Sequence, residues 1–151
     1  MIPEEEILNT IHEMGYITVK ARAIFPSYYK LSDGTILKAH VNVHALIADP
    51  RSPDKISLNS INEVVAYIPK QKRRPEAYQQ YEPTELAANI IDDDVEFEVL
   101  REEFSVYDLS NNMILSIKTV VGQVRKTKYL TVHGESVYTV NINPVIKFKK
   151  N

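Results

Sequence analysis

Nine residues near the start of the chain, Tyr29-Lys30-Leu31-Ser32-Asp33-Gly34-Thr35-Ile36-Leu37, return later as Tyr107-Asp108-Leu109-Ser110-Asn111-Asn112-Met113-Ile114-Leu115. The offset, 107 − 29 = 78, is close to half of the 151 residues, which predicts a tandem duplication of one unit. Upstream, Ile17, Val19 and Ala21 fall on Val95, Phe97 and Val99, keeping the apolar side of an alternating strand. Downstream, Ser60 to Tyr67 echoes Asn141 to Phe148 at an offset of 143 − 62 = 81, so the intervening surface loop absorbs a three-residue difference. A unit this long exceeds a solenoid repeat and suits two halves of one domain. Convergent turn chemistry in two ordinary hairpins is the competing explanation.

A chain of this length can bury a single core of its own, roughly 70% of its unfolded surface. It contains no cysteine, which removes disulfides, thiolate metal sites and cysteine nucleophiles together. The net charge of −2 provides no global field to recruit nucleic acid or acidic membranes. Met1-Ile2-Pro3-Glu4-Glu5-Glu6 is acidic where a secretory signal starts basic, and no run approaches the roughly 20 apolar residues of a membrane span. A soluble, cytoplasmic protein is the default expectation.

Pro3 to Met14 has helical spacing at Ile7, Leu8, Ile11 and Met14, acids at its positive end and Gly15 as a stop. Tyr16 to Ala23 alternates as a strand with one wet face. Asp33-Gly34 and Asn111-Asn112 are both suited to a type I′ hairpin turn. Leu37, Ala39, Val41, Val43 and Ala45 alternate with Lys38, His40, Asn42 and His44, predicting a long strand with solvent-facing histidines. Asp49 to Asp54 reads as a loop, and Lys55 to Ile68 as one strand or two. The polar stretch 70–82 reads as a linker between halves 1–69 and 83–151. The second half predicts a helix from Pro83 to Ile91, strands Val95 to Val99 and Ile114 to Val124, a turn at His133-Gly134 and strands through Phe148. The predicted class is α+β, mainly antiparallel β, with two helix-strand-hairpin-strand units packed as one pseudo-twofold barrel or sandwich.

Motifs with a chemical mechanism are absent. His40 and His44 are too far apart on a strand, roughly 13 Å, to share an ion. His12-Glu13-Met14-Gly15-Tyr16 has tyrosine where a zinc-protease helix needs its second histidine. No phosphate-cradling glycine loop or Gly-x-Ser-x-Gly elbow occurs, so no catalytic residue, metal or cofactor is expected and an enzyme is disfavoured. Asp92, Asp93, Asp94, Glu96 and Glu98 form the densest carboxylate group, the only basis for a cation-dependent hydrolase.

The leading expectation is a non-catalytic binding or assembly module for a protein or small-ligand partner. Its ligand would meet Tyr29, Tyr107, Asn62 and Asn143, the duplicated residues that a shared twofold cleft would bring together. The alternative is a nucleic-acid-binding accessory protein using Lys70, Lys72, Arg73 and Arg74 with Lys147, Lys149 and Lys150. Open strand edges would also allow a homodimer.

Overall fold

The computed structural model describes residues 1–151, apart from the side chains of residues 53 and 54. The fold is mostly antiparallel β-sheet. One α-helix, α1 (Glu4–Glu13), carries Glu4, Glu5 and Glu6 in its first turn, where the helix dipole favours them, and buries no residue. The strands are β1 (Tyr16–Ala23), β2 (Ser27–Leu31), β3 (Ile36–Asp49), β4 (Ser52–Tyr67), β5 (Ile90–Asp92) and β6 (Phe97–Arg101), then β7 (Phe104–Leu109), β8 (Met113–Lys118), β9 (Val121–Leu130), β10 (Ser136–Ile142) and β11 (Val145–Lys150). No helix among the described residues is long and apolar enough to cross a membrane.

The pairings form two four-stranded arrays, β4-β3-β2-β6 and β11-β8-β7-β1. Tyr16–Thr18 of β1 also pairs with Ala45–Ile47 of β3 and joins the arrays into one sheet of eight strands. A three-stranded sheet, β10-β9-β5, completes the fold. In each array three neighbouring strands come from the same half of the sequence, and the fourth comes from the other half.

The registers repeat. In β1 and β7, Val19, Lys20, Ala21 and Ala23 face Leu109, Asp108, Tyr107 and Val106. In β6 and β2, Phe97, Glu98, Val99 and Arg101 face Leu31, Lys30, Tyr29 and Tyr28. Moving each first-half number up by 78, and each second-half number down by 78, converts one set into the other, including the skipped residue. The β2–β3 register likewise becomes the β7–β8 register. Two core clusters follow the same exchange. Tyr29, Leu31, Leu37 and Ala39 pack with Val121 and Val124, whereas Tyr107, Leu109, Leu115 and Ile117 pack with Val43 and Leu46.

Several sequence expectations need correction. The predicted Pro83–Ile91 helix is a single 3-10 turn at Pro83–Glu85 followed by β5. Only Leu86, Asn89 and Ile90 in that stretch are even half-buried, and so short a helix gains little without a packed face. The predicted Ile114–Val124 strand breaks at Thr119-Val120, between β8 and β9. The Asp49–Asp54 loop contracts to Pro50-Arg51, because Ser52 already pairs with Asp49, and residues 52–67 form one strand.

The two echoed turns are not type I′. Gly34 (φ 90°) and Asn112 (φ 64°) have positive φ, whereas Asp33 and Asn111 do not. Each is instead a three-residue loop ending in the left-handed position, closed by Gly34 N–H to Leu31 O (2.9 Å) and Asn112 N–H to Leu109 O (3.2 Å). The β9–β10 hairpin uses the same loop, with Gly134 at φ 79° and its N–H on Thr131 O.

The strict alternation expected along β3 also fails. A bulge at His44 separates the Val43–Ser60 and Ala45–Asn59 pairs, so Leu46 rather than Ala45 is buried. His40 is buried at 7% exposure instead of facing solvent. The counterpart bulge lies at Gly122, between the Val121–Ile142 and Gln123–Asn141 pairs. These pairs relate β4 to β10 by 142 − 60 = 82, one residue more than the sequence echo. Asn62 and Asn143 therefore occupy different positions in the two ladders. Val99, expected to lie inward like Val95, is 51% exposed on the outermost strand of its array.

A polar bridge fills the gap between the two stretches of β3 that pair with β2 and β1. Val41 N–H donates to Thr119 Oγ1 (3.0 Å), and Ser27 Oγ donates to Thr119 O. Thr119 is 2% exposed. Thr119→Val keeps the shape but strands the buried Val41 N–H, and is expected to cost about 1–3 kcal/mol in urea unfolding.

Candidate functional site

The structure separates the four residues of the predicted ligand cleft. Tyr29 (0% exposed) and Tyr107 (2%) are core residues in different clusters. Asn62 and Asn143 are exposed, the former on β4 and the latter between β10 and β11. The Tyr29 hydroxyl donates to Glu102 and accepts from Val121 N–H (3.0 Å). The Tyr107 hydroxyl is buried beside the Val43 backbone and makes no close hydrogen bond. Asn143 and Asn141 instead crowd the face of Gly122, where an added Cβ would meet both side chains. A shallow cavity of about 240 Å³ lies on that side of the β9–β10 ladder, lined by Gln123, Arg125, Thr139, Val140 and Asn141.

A second tyrosine–carboxylate pair ties the first hairpin turn to β9 and β10. Asp33 accepts from Tyr138 OH, from Thr35 N–H (2.9 Å) and from Lys126 Nζ (3.5 Å). Burial opposes ionisation of Asp33, but the Tyr138 and Thr35 hydrogen bonds outweigh it and hold the carboxyl below its usual range. Burial, followed by the neighbouring carboxylate, pushes Tyr29 and Tyr138 up to about 12 from the usual 10. Both folded-state values are raised, so the associated stability is complete below pH 10 and is lost as pH rises through 12. For fully buried Tyr29 this amounts to at most about 2–3 kcal/mol. Thermal melts from pH 9 to 12 are expected to show a steep fall that Tyr29→Phe partly removes.

The two basic groups are not brought together. Arg74 N–H bonds to Gly134 O (2.9 Å) at the tip of the β9–β10 hairpin. Lys149 and Lys150 pair with Ile114 and Met113, at the start of β8. They therefore occupy opposite ends of the ribbon that runs from β8–β11 into β9–β10. Residues 70–82 form two 3-10 turns, Lys70–Lys72 and Pro75–Ala77, held by the Arg74 bond and by stacking of Tyr81 on Tyr129 (centroids 4.7 Å apart).

Asp92, Asp93, Asp94, Glu96 and Glu98 are all exposed. Asp92 Oδ1 is occupied by Asp94 N–H (3.0 Å), and the Asp93 carbonyl by Gln123 Nε2 (2.8 Å). Among the described residues, no group of three or more His, Asp or Glu side chains is placed to hold a metal ion.

The less expected feature is the set of strand edges. β6 and β11 are the two ends of the eight-stranded sheet, and β4 pairs on one side only, with β3. All three expose large apolar side chains: Ile61 (57%) and Tyr67 (51%) on β4, Val99 and Leu100 on β6, and Ile146 and Phe148 on β11. Their alternation was readable in the sequence; which strands end up on the outside was not. No protein-family model, curated protein or solved structure matches this chain.

Proposed function

We propose that the chain is a non-catalytic binding or assembly module that works by adding strands to its open edges. It is built from a duplicated unit, residues 1–69 and 83–151 joined by 70–82, whose halves exchange one strand and pack as a pseudo-twofold sandwich. The coincidence of the β1–β7 and β6–β2 registers at a shift of 78, bulge included, supports the duplication. The observation that carries the functional reading is the apolar exposure on β4, β6 and β11. Unpaired backbone N–H and C=O groups beside exposed Val, Leu, Ile and Phe form a surface that binds extended chains, and the lysines of β11, which guard that edge against indiscriminate pairing, restrict it to a partner of complementary charge. The dispersal of the basic residues makes one continuous nucleic-acid track the weaker reading.

Lysine-directed cross-linking of the full chain in a cell extract tests this. Partner cross-links are expected to concentrate on Lys147, Lys149 and Lys150 of β11 and to fall when Ile146 and Phe148 are replaced by aspartate. Cross-links spread evenly over all the lysines, and unchanged by those substitutions, would count against it.

A further inference from the structure

The two ends of the eight-stranded sheet carry opposite charge. β11 is Val145-Ile146-Lys147-Phe148-Lys149-Lys150, and all six residues are exposed. β6 is Phe97-Glu98-Val99-Leu100-Arg101, preceded by Glu96 and followed by Glu102 and Glu103. Its one arginine is already engaged, with Arg101 Nη2 3.0 Å from Glu103 and its guanidinium 4.8 Å from the Phe25 ring centroid. From the complementarity of these edges we infer that β11 of one copy pairs antiparallel with β6 of a second copy, head to tail. The inference rests on the edge-binding reading above and supplies its partner.

The side chains favour one register. Placing Lys147 opposite Glu98 sets Lys149 opposite Glu96, Val145 opposite Leu100, Ile146 opposite Val99 and Phe148 opposite Phe97. Every ion pair and apolar pair then falls on a matching face of the pleat, because the side-chain period is two on both strands. A symmetric β11–β11 contact would gather six lysines along one short seam, and a β6–β6 contact would gather the glutamates. Like charges across a seam are destabilising, so the heterologous contact is preferred. A head-to-tail contact closes into a ring or extends as a filament. One pair of strands this short buries less than the roughly 1,200 Å² of a stable interface, so association is weak, reversible and salt-sensitive.

Sedimentation velocity of the purified full chain tests the inference. The mean mass is expected to rise with protein concentration at about 20 mM salt and to fall towards monomer at about 500 mM. A chain with Lys147→Glu and Lys149→Glu, and another with Glu96→Lys and Glu98→Lys, should each associate about tenfold more weakly or worse. The substituted residues are exposed, so both variants should melt like the parent. An equimolar mixture should regain association, because each reversed edge then meets an oppositely charged partner. A parent chain that stays monomeric at every concentration overturns the inference, as do association indifferent to both reversals and folded variants whose mixture does not recover. None of these results alters the extract cross-linking outcome, which tests edge binding to other proteins separately.

Discussion

Truncating Tyr29 to alanine is expected to cost about 3–5 kcal/mol, a large share of the 5–15 kcal/mol that stabilises a domain of this kind. The ring is fully buried, meets Phe97 edge-on at a centroid distance of 5.3 Å, and belongs to the cluster that joins residues from both halves. Its hydroxyl is equally committed: loss of that group leaves Val121 N–H unpaired at the start of β9 and Glu102 without its donor. Tyr29→Phe should therefore cost about 1–3 kcal/mol by itself. Tyr107→Phe should cost less than Tyr29→Phe, since its buried hydroxyl has only the Val43 backbone beside it, with no close hydrogen bond and no carboxylate to leave behind. Urea unfolding of the three variants, at constant m-value, checks the ordering. Equal losses from the two phenylalanine variants would mean that the tyrosines serve the same role.

Gly134→Ala has the second largest expected effect, and it acts on the segment 70–82. At φ 79° the residue lies in the left-handed region, where a side chain costs about 1 kcal/mol. Its Cβ would also fall on the backbone of Arg74 and Pro75, well inside van der Waals contact, where no flexible side chain can give way. Residues 70–82 must lift off, losing the bond from Arg74 N–H to Gly134 O. The combined local cost is about 2–3 kcal/mol. Trypsin cleavage after Lys70, Lys72 and Arg73 is expected to accelerate by tenfold or more, while the cores of β3 and β8 retain their amide protection. An unchanged cleavage rate would show that the hairpin tip does not hold this segment.

Much of the fold could be read from the sequence because the strands obey a period of two. The bounds of β1 and the bulk of β3 follow directly from alternation, and α1 from its acids and Gly15. What was missed depends on contacts distant in sequence. The bulges at His44 and Gly122 shift the inward face by one residue, and pattern alone does not show where a ladder slips. The same slip separates the sequence echo at 81 from the backbone pairing at 82 and removes the equivalence of Asn62 and Asn143. Similar turn sequences also mislead. Asp33-Gly34 and Asn111-Asn112 tolerate positive φ, but the three-residue loop uses it only at the last position, as at Gly134 in a hairpin outside the echoed stretch.

The candidate surface was harder to read than the fold. Tyr29 and Tyr107 looked like cleft residues because they recur, but recurrence on an inward face means packing. The lysines of β11 and the glutamates around β6 were visible as charge runs. Their significance emerges only when the topology puts one at each end of the same sheet. β6 pairs with β2 from the far side of the sequence, and β1 joins β7 to β3 in the interior, which leaves β6 and β11 as the outer strands, so this exchange of pairing partners underlies the proposed assembly.

The most direct test of that exchange is a set of cross-strand Hα–Hα and amide contacts measured by NMR on the dilute, monomeric chain. The structure predicts contacts between Lys20 and Asp108 and between Lys30 and Glu98, each pair linking one half to the other in the same register. Contacts that instead pair residues 19–23 and 97–101 with strands of their own halves would contradict the account.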